Sequence, residues 1–165
     1  MKAVGLIMIF LSAVSVGFIK GNGYKDTERE IGAFIDLLYF IRHEISSYLT
    51  PQGKIYEKLR NPILEERGFL DLLRRFSEEG AEQPLLSAVE ECRALRCGDE
   101  AASVIKEFSE TLGRLSVKEQ CHRCDRAISA LEDIHKRKKV EALEKTRLCR
   151  SVGCMIGLGL VLLLW

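Results

Sequence analysis

Two uncharged apolar runs, Ala3 to Ile19 and Val152 to Trp165, lie at the two ends of this chain, and the segments between them are amphipathic. Apolar stretches without a polar face need a core or a lipid phase to cover them, so this layout predicts a folded domain tethered twice. At 1.5 Å of helix rise per residue the runs span roughly 25 Å and 21 Å, short of a hydrocarbon core of about 30 Å. Snorkelling of Arg147 and Arg150 to the headgroups, with local bilayer thinning, can absorb the difference.

The flanking charges orient the tethers. Lys20, Lys25 and Arg29 follow the first run, and Lys136 to Lys139, Lys145, Arg147 and Arg150 precede the second. Basic residues stay on the cytoplasmic side, so both runs predict that the middle of the chain is cytoplasmic. The first run also has the parts of a cleavable leader, with Lys2 as n-region and Ala13-Val14-Ser15 as cleavage site. A secreted domain would have to carry the basic cluster across the bilayer, which favours the anchor. Ala13 with Gly17, and Gly153 with Gly157, place small residues four apart, a spacing that lets helix backbones approach and leaves homo-oligomerisation open.

Between the tethers the apolar periodicity is helical. Ile31, Phe34, Ile35, Leu38, Ile41 and Ile45 line one face of a first helix, after a flexible joint at Gly21-Asn22-Gly23. Thr50-Pro51 and Asn61-Pro62 each read as a cap followed by the first residue of a new helix. The next helix is predicted to run to about Ser77, a fourth from Pro84 to a stop at Gly98, and a fifth from a cap at Asp99. Ser116 with Glu119 is a capping box that opens a helix with no later proline. Its seam is Val117, Cys121, Cys124, Ile128, Leu131 and His135. No stretch alternates as a strand would. The expectation is an all-α antiparallel bundle of short helices. Residues 1–20 would be the first transmembrane helix, 21–135 the cytoplasmic bundle, 136–150 a solvated basic stalk, and 151–165 the second transmembrane helix.

Six cysteines invite a site, and Cys121 and Cys124 with Cys92 and Cys97 could complete four thiolates around zinc. A CxxC inside a capped helix, with both sulfurs on its apolar seam, instead reads as core packing. Redox catalysis needs the first thiol at a helix N-terminus after a strand, which Cys121 is not. His43, His122 and His135 are scattered, glycine-rich phosphate loops are absent, and the paired glutamates fit solvated helix faces. No enzyme, metal or cofactor is expected. With a net charge of +1 the chain has no overall field for nucleic acid, and the basic run before the second tether is better matched to lipid headgroups.

The stretch from Glu44 through Tyr48 to Thr50-Pro51, and the stretch Glu110 to Ser116 with Leu112-Gly113 at its heart and Gln120 behind it, resemble the stage III sporulation protein AB family of endospore-forming bacteria. The likeness covers essentially the whole chain. In that family the Leu-Gly pair is usually followed by Ser or Thr and then Asp, where this chain has Leu115 and Ser116, and Gln52 stands where Leu often follows Thr-Pro. The resemblance implies a helical cytoplasmic domain similar to the platform proteins of type II secretion and type IV pilus machines. It would act without catalysis beside a cytoplasmic secretion-type ATPase and other stage III subunits, at the mother-cell membrane around the forespore. It also singles out Glu44, Tyr48, Thr50, Pro51, Leu112, Gly113, Ser116 and Gln120 as interaction or fold-critical positions, although helix capping alone would explain several of them.

Overall fold

A computed structural model describes residues 2–48 and 52–164. Among them every regular element is a helix: α1 (Lys2–Tyr48), α2 (Gln52–Lys58), α3 (Pro62–Glu66), α4 (Phe69–Glu78), α5 (Pro84–Glu91), α6 (Asp99–Thr111) and α7 (Val117–Leu164). The expected all-α class holds, and α7 is the long last helix read from the sequence, but the first apolar run and the first bundle helix are also one long helix, α1. The joint expected at Gly21 to Gly23 is helical, because α1 runs through it without a break. Thr50 and Pro51 lie outside the described residues.

The chain divides into two compact units. One, residues 29–136, contains the second part of α1, the short helices and the first part of α7. Its core is the apolar face read from the sequence: Ile31, Phe34, Leu38 and Ile41 of α1 are fully buried, as are Leu64, Phe69 and Leu73. Phe34 and Phe69 meet edge to face with centroids 5.2 Å apart. Burying each such ring contributes about 2 kcal/mol, with up to about 1 kcal/mol more from the edge-to-face geometry.

Local chemistry sets the short helices. The Asn61 side chain accepts from the backbone N–H of Ile63 and Leu64 at 3.1 and 3.2 Å, and Pro62 takes the first helical position. The single helix expected to reach Ser77 is split because Gly68 adopts φ 70°, a left-handed conformation that costs another residue about 1–2 kcal/mol. The fourth helix stops at Glu91 rather than at Gly98. Gly98 precedes α6, and Asp99 lies in the first turn of α6, where its charge still suits the helix dipole.

The other unit comprises residues 1–28 and 137–165. Segment 136–150 was expected to be solvated all round, yet Ala142 and Thr146 are buried. Thr146 Oγ1 donates to the Gly21 carbonyl oxygen at 2.8 Å. Its other faces carry Glu141, paired with Lys138 at 2.9 Å and with Lys145. Those two ammonium groups hold the Glu141 carboxyl down to about 2. Among the described residues no helix is long and apolar enough to cross a membrane.

Candidate functional site

Three places in the described structure gather groups that packing alone does not account for. The first is a buried carboxylate. Glu30 sits on α1 one step before Ile31 and is fully buried. Its Oε1 meets the Arg67 guanidinium at the end of α3, and its Oε2 accepts the backbone N–H of Arg96 in the α5–α6 loop. One side chain therefore ties the long helix to two turns distant in sequence. Cys92 and Cys97 stand beside it. Burial pushes the Cys97 thiol up to about 11, with the Glu30 charge adding to the effect, and burial raises Cys92 as well. Cys92 Sγ contacts the Arg67 carbonyl oxygen at 3.6 Å.

The CxxC pair, Cys121 and Cys124, has a different neighbourhood. Cys124 is fully buried on the α7 seam, and burial pushes its thiol up to about 12. Arg42 of α1 makes a two-pronged pair with Asp125 beside it, and Tyr39 donates to Glu132 at 2.9 Å. These cross-helix pairs hold α1 and α7 in register within the larger unit. Among the described residues no three His, Cys, Asp or Glu side chains converge as metal ligands would.

The second place is the α6–α7 turn. Leu112 ends α6 and is buried, Gly113 follows at φ 82°, and Ser116 is exposed. Gln120 closes this turn: its Nε2 donates to the Leu115 carbonyl oxygen at 2.7 Å, and its Oε1 accepts the Gly113 N–H at 3.4 Å. The amide of Gln120 thus closes the turn, and α7 begins at Val117, directly after the Ser116 read as its cap. Val117, 42% exposed, projects from the same corner. Alongside, α6 and α7 leave a groove of about 200 Å³ whose floor is Val104 and Phe108 and whose wall carries Arg123 and Arg126. The remaining predicted positions lie elsewhere. Glu44 is nearly buried and pairs with Lys58 of α2 at 3.1 Å, and Tyr48 is the last residue of α1, its side chain outside the described set.

The third place is the paired helices of the smaller unit. A Cβ on Gly17 would stand 2.6 Å from the Cys149 carbonyl oxygen and 3.3 Å from the Gly153 Cα, so the backbones touch there. Gly157 is also buried, while the side chain of Ala13 is not among those described. Gly21 repeats the close approach one turn on, against Thr146. That residue was missed as a packing position, although Gly17 and Gly21 have the same four-residue spacing. Glu30 was missed too; the signal was an acid four residues before Phe34, on the apolar face. Lys20 and Arg147 are exposed, and the Arg150 guanidinium lies 4.5 Å above the Phe18 ring.

Exposed large apolar side chains are unevenly shared. Apart from Tyr39 and Val117, those among the described residues all fall in the smaller unit, with Ile19 and Met155 each 72% exposed. Residues 2–165 match the family described as stage III sporulation protein AB. No curated protein and no solved structure matches the chain.

Proposed function

The chain belongs to the stage III sporulation protein AB family, and from that premise we propose that it is a non-enzymatic membrane scaffold of a secretion-like complex between mother cell and forespore. The observation that carries the reading is the concentration of exposed apolar side chains in the unit built from the two termini. A surface of that kind calls for lipid or a partner, whereas the larger unit closes its own core. The apolar ends of α1 and α7, packed through glycine, enter the bilayer together, and their basic flanks keep the larger unit cytoplasmic.

The work of such a protein is binding. Partner contact is assigned to the α6–α7 pair, which carries the exposed Val117 beside the Gln120-closed turn and, further along the helices, the groove lined by Arg123 and Arg126. The Leu112, Gly113 and Gln120 positions shape that turn rather than touch the partner. Glu44 and Lys58 brace α1 against α2 in the same way. By the family resemblance the partners are a cytoplasmic secretion-type ATPase and the other stage III subunits. The test is recovery of the tagged full chain from membranes of sporulating cells in mild detergent. The ATPase or other platform subunits should copurify, and recovery of the chain without any of them would overturn the scaffold reading.

A further inference from the structure

The apolar runs account for the middle of the smaller unit but not for its basic end. There α1 and α7 border an open cavity of about 280 Å³ lined by Lys25, Leu143, Thr146, Arg147, Arg150 and Ser151. Three of the six lining residues are cations and none is an acid. The nearby Glu141 is already held by Lys138 and Lys145. Like charges are not gathered into one concavity without cost, and a bound anion is the simplest compensation.

The arginine geometry points the same way. Arg150 lies with its guanidinium 4.5 Å over the Phe18 ring, which fixes the plane of the fork. Its Nε is buried and has no hydrogen-bond partner within the protein. A planar fork held in place, with a donor to spare, suits a phosphate better than a freely rotating ammonium would. Arg147 and Lys25 supply further charge, and the exposed Ser151 supplies a hydroxyl. Phe18 and Leu143, 42% and 64% exposed, give the site an apolar border. Free inorganic phosphate has no use for such a border. A phospholipid, whose headgroup phosphate adjoins acyl chains, does.

We propose that Lys25, Arg147 and Arg150 form a binding site for the phosphate of an anionic phospholipid headgroup. The site rests on the membrane reading above and deepens it: the tethers hold a particular class of lipid as well as spanning the bilayer. Losing one of the three cations should weaken binding about fivefold, the value of one basic residue at an anionic surface.

The test uses the full chain in maltoside micelles, titrated separately with phosphatidylglycerol, phosphatidylcholine and inorganic phosphate, with bound molecules counted by native mass spectrometry. Phosphatidylglycerol should saturate one site, and neither of the others should fill it. Arg150→Gln and Arg147→Gln should each weaken that binding about fivefold at an unchanged lipid-free melting temperature, whereas Lys139→Gln, an exposed cation outside the cavity, should not. Equal binding of the two lipids, binding of inorganic phosphate in place of lipid, or indifference to both arginine substitutions would each overturn the site. Flotation of the chain with pure phosphatidylcholine vesicles reads the anchoring separately. A chain that fails to float refutes the membrane reading, while the micelle titration still decides the site.

Discussion

Glu30 shows how much one side chain can hold. Its carboxylate has no contact with solvent and joins Arg67 to the Arg96 backbone, so Glu30→Gln removes the charge that faces the Arg67 guanidinium. Breaking a buried pair from one side costs about 3–5 kcal/mol, and the lower end applies because the Arg67 side chain is 21% exposed. Thermal unfolding of the full chain should show the loss for Glu30→Gln. Glu79→Gln, which removes only an exposed pair with Arg75, should stay within about 0.5 kcal/mol of the parent. The acid on an apolar helix face was visible in the sequence, but its partners were not. Arg67 and Arg96 are two among many arginines, and only the turn at Gly68 and the loop after Cys92 bring them to Glu30. The cysteines make the converse case. Their place on the α7 seam was readable from spacing, and the burial that raises the Cys124 thiol follows from it.

Among the elements, the long helices were legible in opposite degrees. The capping-box position and the lack of any later proline predicted one helix to the end of the chain, and α7 runs from Val117 to Leu164. The same reasoning put a joint at Gly21 to Gly23, where glycine's intrinsic cost in a helix suggested a break. In the fold that cost is outweighed, because Gly21 is where α1 can approach Thr146 closely enough to take its hydroxyl hydrogen bond. The close approach gives a direct test. Gly17→Val drives a side chain into the Cys149 carbonyl and should destabilise the helix pair by about 1–3 kcal/mol, lowering the melting temperature in micelles. Gly159→Val should leave it unchanged, since a Cβ there meets nothing within 4 Å. Equal effects would mean that the glycines matter only through backbone propensity.

For the whole molecule, the prediction concerns sidedness. On the membrane reading proposed above, a reporter fused after Arg29 should be active only when it works in the cytoplasm, because basic residues flank both apolar runs. Activity of an export-dependent reporter at the same position would reverse the topology and make a secreted domain the better reading. The sequence by itself determined the helical class, the apolar face of α1, the seam of α7 and the amphipathic middle between two apolar ends. Each is a property of periodicity or composition along the chain, and helices express it locally. Only the tertiary structure decided that Glu30 is a buried junction, that Gln120 closes the α6–α7 turn, and that Lys25 shares a cavity with Arg147 and Arg150. Those depend on contacts between residues far apart in sequence, and no local pattern encodes which of many similar charges will meet.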